Sequence, residues 1–118
     1  MSKKIIAIDD SPPIPKAIKI ILSKEGFDVI EAYDGEEGYQ KIVETKPDLI
    51  ISDVGLPKLN GYELFEKVKA NTDISSIPFI FLTGQTSERR EDLPADGWIT
   101  KPFNKQSILD AVKAVLKI

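Results

Sequence analysis

Apolar residues along this chain follow two different periods. Short unbroken runs rich in β-branched residues alternate with longer stretches in which apolar positions recur every three or four residues. Lys4-Ile5-Ile6-Ala7-Ile8 reads as a buried strand and stops at Asp9-Asp10-Ser11. Ser11, Pro12 and Pro13 suit a helix start, with Pro15 still in the first turn. Ile14, Ala17, Ile18, Ile21 and Leu22 give that helix one apolar face, and Gly26 stops it. Residues 28–32 form a weaker strand, charged at both ends, which predicts a place near a sheet edge. After the Asp34-Gly35 turn, residues 36–45 predict a helix with Tyr39, Ile42 and Val43 inward, closed by Pro47. A second buried run, 49–51, leads to Asp53. Pro57 and Asn60-Gly61 turn the chain into a helix over 62–70 presenting Leu64, Phe65 and Val68. Residues 71–73 are loop-like. The strand over 78–82 ends at Thr83-Gly84. The polar stretch 85–96, which holds Pro94, predicts at most a short, poorly anchored helix. A brief strand over 97–100 meets Lys101-Pro102. Asn104 can cap a last helix carrying Ile108, Leu109, Val112, Val115 and Leu116.

Strand and helix thus alternate five times, which calls for a parallel sheet with helices on both faces. Right-handed crossovers and short connections leave few arrangements. The flavodoxin-like, doubly wound order 2-1-3-4-5 is the natural five-strand choice, here with a shortened fourth helix. A length of 118 residues without linker or repeat predicts one domain over 1–118.

Composition removes several kinds of chemistry. The chain has no cysteine, so disulfides, thiolate catalysis and cysteine-based metal sites are excluded, in keeping with a cytoplasmic location. It has no histidine either, which removes the commonest general base and transition-metal ligand. Any metal should therefore be hard and oxygen-bound. Lysine plus arginine total 16 against 19 acidic residues, spread without a basic block, so nucleic-acid binding by this domain is not expected. No apolar run approaches the ~20 residues of a membrane span. The apolar part of the N-terminus is too short for a signal peptide.

What stands just past each strand is the informative part. Asp9 and Asp10 follow the first, Asp53 the third, Thr83 and Gly84 the fourth, and Lys101 the fifth. In the order 2-1-3-4-5 these strands are neighbours, so their carboxyl ends share one rim. Singly, each residue has an ordinary reading: a helix cap, a turn, a surface lysine. Four strand ends out of five carrying a compatible group make that reading weaker. Three close carboxylates repel one another, and Mg²⁺, a hard cation content with a few carboxylates and retained waters, relieves the repulsion. A nucleophilic oxygen, a metal and a lysine around one point are what phosphoryl transfer needs. The rivals are a small Mg²⁺-dependent phosphohydrolase, for which the chain leaves little room, and a flavin-binding protein, whose cofactor phosphate the carboxylates would repel.

At these residues the sequence resembles the receiver domain of two-component response regulators over its whole length. The matching residues are Asp9-Asp10-Ser11, Asp53-Val54-Gly55-Leu56-Pro57 with Asn60-Gly61, Thr83-Gly84, and Trp98-Ile99-Thr100-Lys101-Pro102-Phe103. The resemblance implies that Asp53 is the phosphoacceptor, charged by a histidine kinase or phosphotransfer protein. It implies that Asp10 ligates Mg²⁺ with Asp9, Asp53 and the Gly55 carbonyl. Lys101, Thr83 and Gly84 would bind the phosphoryl group, and the Lys101-Pro102 bond would be cis. Thr83 and Trp98 would be the switch pair, although Trp98 reads equally as a partly buried packing residue. The output would be a downstream protein target or a further effector domain, with no membrane involved. Three features depart from the usual pattern. The stretch between Thr83 and Lys101 is about one helical turn short, which also makes a docking module independent of phosphorylation a rival reading. Pro12, Pro13 and Pro15 stiffen the loop beside Asp10. Gly55 and Gln85 flank the expected phosphate, and neither is a strong base, so loss of phosphate would depend mainly on Asp53, Mg²⁺ and a partner phosphatase.

Overall fold

Five short strands make one parallel sheet in the computed structural model, which describes residues 2–84, 90 and 92–118. They are β1 (Lys4–Ile8), β2 (Asp28–Ala32), β3 (Leu49–Asp53), β4 (Phe79–Thr83) and β5 (Gly97–Thr100), in the order β2-β1-β3-β4-β5. Every residue of β3 and β4 is buried, which explains their unbroken apolar runs: strands covered on both faces have no solvent side to alternate with. β2 stands at an edge, as its charged ends predict.

Helices α1 (Pro13–Ser23) and α4 (Lys105–Leu116) cover one face. Ile18, Leu22, Ile108 and Val112 pack there on Ile5, Leu49, Ile51 and Ile80. Helices α2 (Gly35–Thr45) and α3 (Gly61–Ala70) cover the other. Ile42, Leu64, Phe65 and Val68 meet Ile6, Ile50, Phe79 and Phe81 there. Three helices start on side-chain caps. Asp34 accepts from Glu37 N–H at 2.7 Å. Asn60 with Glu63, and Asn104 with Ser107, form reciprocal capping boxes. Each such cap stabilises by about 1 kcal/mol. α1 instead begins at Pro12 with no side-chain cap and Pro13 in its first position.

Val43 corrects the sequence reading. It is 40% exposed, and the buried stripe of α2 is Gly35, Gly38 and Ile42, with Tyr39 half-buried beside it. The glycines let the helix settle close to the sheet: a Cβ on Gly38 would sit 2.7 Å from Ile8 Cδ1. That close seat turns Val43, one step round from Ile42, to the flank. The short helix expected over 85–96 falls largely outside the described residues. Arg90 and residues 92–96 are described, and none of them is helical. No described helix is long and apolar enough to cross a membrane.

Candidate functional site

Parallel strands bring their carboxyl ends to one rim, and the expected cluster is there. Carboxylate oxygens of Asp9, Asp10 and Asp53 lie within 4.8 Å of one another. Asp53 closes β3, where a stiff buried strand fixes its backbone, and is 9% exposed. Its Oδ1 is 2.9 Å from Lys101 Nζ, and its Oδ2 accepts from the Gly55 N–H at 3.2 Å. Asp9 is buried. Its Oδ1 accepts from Ser11 N–H at 2.9 Å and its Oδ2 pairs with Lys101 Nζ at 2.7 Å. Asp10 is exposed, on the open side of the cluster.

Lys101 follows β5 and leans across to the carboxylates. Its backbone N–H donates to Thr83 O at 2.7 Å, and the Lys101-Pro102 bond is cis, as the resemblance implies. Thr83 is fully buried, and its hydroxyl has no hydrogen-bond partner among the described residues. A buried hydroxyl with nothing to bond is expensive, about 1–3 kcal/mol, so it marks a place where a further acceptor would fit. Trp98 is half-buried against Phe81, with ring centroids 4.9 Å apart. Gly84 is exposed just past β4, and Gly55 is exposed just past β3. Gln85, expected to flank the phosphate, lies outside the described residues.

The electrostatics call for a cation. Burial raises the Asp9 carboxyl above its ordinary value, against the lowering pull of its bonds to Lys101 and Ser11, and the charge on Asp53 adds to the rise. Burial alone would lower Lys101. Its bonds to Asp9 and Asp53 and their charges outweigh this and raise it. One lysine against three ionised aspartates leaves a formal charge of −3 + 1 = −2 in the pocket. Each close pair of like charges costs on the order of 3 kcal/mol at a surface-like dielectric. A divalent ion matches that deficit, and an all-oxygen ligand set suits Mg²⁺.

One residue of this region went unread in the sequence. Ser52 is fully buried beside Asp53, and its hydroxyl donates to the Asp53 carbonyl at 3.0 Å. It carries no sequence signal, because a lone serine in a strand is ordinary. Gly61, read as a turn residue and as part of the family match, lies against the same carbonyl. The Asn60…Glu63 capping box also went unread, although its three-residue spacing is the signal that could have found it.

Known proteins share this fold. The family model of the response regulator receiver domain matches residues 5–113. The chemotaxis response regulator CheY4 of Vibrio cholerae is 32% identical, over 98% of this chain and 99% of that one, with a TM-score of 0.91. The receiver domain of a signal transduction histidine kinase from Syntrophus aciditrophicus is 33% identical, over 98% and 91%, with a TM-score of 0.88. The receiver domain of sensor histidine kinase PA1611 from Pseudomonas aeruginosa shares the fold at 21% identity over the full length of both chains, with a TM-score of 0.90. That structure holds a magnesium ion in its active site cleft. The chain belongs to the response regulator receiver domain family.

Proposed function

We propose that Asp53 is the phosphoacceptor and that Asp9, Asp10, Asp53 and the Gly55 carbonyl hold Mg²⁺ beside it. One observation carries this reading: a single ammonium group, Lys101 Nζ, lies within 3 Å of both Asp53 and Asp9 in a pocket short of positive charge. Asp53 needs no general base, because a carboxylate nucleophile carries no proton to be removed. A carboxylate oxygen attacks the phosphorus of a phosphohistidine on the donor protein. The P–N bond breaks, its electron pair stays on the departing imidazole nitrogen, which takes up any proton it needs from water, and an aspartyl phosphate remains. Lys101 Nζ pairs with a phosphoryl oxygen, and the Thr83 hydroxyl donates to another as β4 adjusts, with the Gly84 backbone alongside. When bound, Mg²⁺ neutralises charge on the carboxylates and the transferred phosphoryl group. Thr83 and Trp98 form the switch that reports the modification.

Receiver domains act as phosphoacceptor signalling modules and partner histidine kinases. For this chain we assign the donor, a histidine kinase or phosphotransfer protein, to an apolar cleft of about 540 Å³ beside the site. Pro13, Ile14, Ala17, Pro102 and Phe103 line it with the stem of Lys101. An apolar helix face bearing the phosphohistidine would rest there with its phosphorus over Asp53. The output goes to a downstream protein target or a further effector domain, in the cytoplasm. Incubation with acetyl phosphate and Mg²⁺ followed by intact-mass measurement tests the central claim. Wild-type protein gains one phosphoryl group and Asp53→Asn does not. An unlabelled wild type, or equal labelling of both, sinks it.

A further inference from the structure

The described core holds four buried polar side chains, Asp9, Ser52, Asp53 and Thr83, and the proposed reaction uses all but Ser52. On the two-residue period of a strand, Ser52 shares a face with Ile50, towards α2 and α3. It therefore points away from the phosphoryl pocket. An apolar side chain of similar size would fill that place without the cost of burying a hydroxyl. The hydroxyl is spent instead on one contact, the Asp53 carbonyl at 3.0 Å.

Gly61 closes on the same carbonyl from α3. A Cβ there would lie 2.2 Å from Asp53 O and 2.8 Å from Val54 Cα, so only glycine admits this approach. The Gly61 N–H donates to Val54 O at 2.8 Å. The peptide between Asp53 and Val54 is thus held at its carbonyl by the Ser52 hydroxyl, with Gly61 of α3 packed against it, and at its N–H, which donates to Leu82 O of β4 at 3.2 Å. Two residues on, the Gly55 N–H reaches back to Asp53 Oδ2. Rotation of the held peptide would carry that N–H away from the carboxylate.

We propose that Ser52 is a positioning residue for Asp53. Its hydroxyl, together with Gly61, fixes the Asp53 peptide so that the Gly55 N–H and Lys101 meet the two carboxylate oxygens. The inference rests on Asp53 being the phosphoacceptor. Its test is built to separate the two claims.

Three variants are compared with wild type: Ser52→Cys, which keeps the shape at slightly greater volume but offers only a weak donor; Ser52→Ala, which removes the donor without adding volume; and Ser52→Thr, which restores a hydroxyl. The first readout is the Gly55 amide resonance in a ¹⁵N–¹H spectrum of metal-free protein. It moves in Ser52→Cys and Ser52→Ala and stays near wild type in Ser52→Thr. The second is the rate of labelling by acetyl phosphate at saturating Mg²⁺. It falls about tenfold in Ser52→Cys, the worth of one hydrogen bond, with half-saturation by acetyl phosphate unchanged, and recovers in Ser52→Thr. A serine that merely packs would alter melting temperature and leave both readouts alone. A wild-type Gly55 amide or a wild-type labelling rate in folded Ser52→Cys overturns the proposal. If wild type itself takes no label, the phosphoacceptor reading falls separately, and the amide shift alone decides the role of Ser52.

Discussion

Lys101 is asked to balance three carboxylates, and the imbalance gives a prediction at single-residue scale. Asp9 is the most buried of the three, and burial is what raises its carboxyl. Asp9→Asn keeps an oxygen to accept from Ser11 N–H and removes one buried negative charge, while Lys101 retains Asp53. The variant is expected to be more stable than wild type without metal, by about 1 kcal/mol, and to lose most of the stabilisation that Mg²⁺ gives wild type. Thermal melts with and without Mg²⁺ measure both, and a variant equally stabilised by Mg²⁺ would remove Asp9 from the ligand set. A second residue prediction concerns acid. The Tyr33 hydroxyl donates to Glu31, and Lys16 and Lys19 pair with the same carboxylate. The tyrosine bond, against burial and helped by the lysines, lowers the Glu31 carboxyl from its ordinary 4.5. A depressed carboxyl contributes stability above its unfolded pKa and loses it as pH falls through the folded one. Glu31→Gln should therefore cost stability at pH 7, and in urea unfolding the gap to wild type should close towards pH 3. At this scale the sequence was most legible where charge stood at a strand end. Asp9, Asp53 and Lys101 declare themselves because ionised groups interrupt apolar runs. Ser52 does not, because a small polar side chain inside a strand looks the same whether or not it acts.

Elements were legible through period and punctuation. Buried runs gave β1, β3 and β4, and the Asp34-Gly35 turn and the Asn104 cap marked helix starts. How closely a helix would sit on the sheet was not readable, since that depends on which glycine faces what. Val43 shows the consequence. Gly35 offers the sharpest test. By helix propensity alone, Gly35→Ala in the first turn of α2 should gain up to about 1 kcal/mol. The structure opposes this, because the new Cβ would lie 1.8 Å from the carbonyl oxygen of Leu59, backbone of the loop that follows Asp53. Backbone cannot yield as a side-chain tip does, so overpacking wins. Gly35→Ala is expected to destabilise by about 3 kcal/mol in urea unfolding. It should also slow labelling of Asp53, because the displaced loop carries Gly55. A variant as stable as wild type would show that the loop yields freely at Leu59.

At the scale of the whole molecule, the question is how an event at Asp53 becomes visible elsewhere. The register of β4 on β5 pairs Thr83 with Thr100 and Phe81 with Trp98. Phe81 meets Tyr62 of α3 edge-on at 5.2 Å, and Tyr62 accepts from the Arg90 N–H at 3.2 Å with the guanidinium 5.3 Å over its ring. A line of aromatic contacts thus runs from β5 through β4 to α3 and on to the connection between β4 and β5. Its state should depend on where Thr83 lies. In unmodified protein the Thr83 hydroxyl is buried and has no partner among the described residues. In the proposed reaction a phosphoryl oxygen would supply one, and a hydrogen bond to a charged group is worth about 1.5–3 kcal/mol. That is enough to shift a two-state equilibrium by roughly 10- to 100-fold. Thr83→Val keeps the shape and deletes the hydroxyl, so two effects of opposite sense follow. Without phosphate, the variant should be about 1 kcal/mol more stable than wild type, because an unsatisfied buried hydroxyl is gone. With acetyl phosphate and Mg²⁺, it should still label at Asp53, yet lose the change in tryptophan fluorescence expected of wild type. Trp98 is the sole tryptophan in the chain, so the signal has one origin. If labelled Thr83→Val shows the full fluorescence change, the switch does not pass through the hydroxyl, and Trp98 answers to Asp53 by another route.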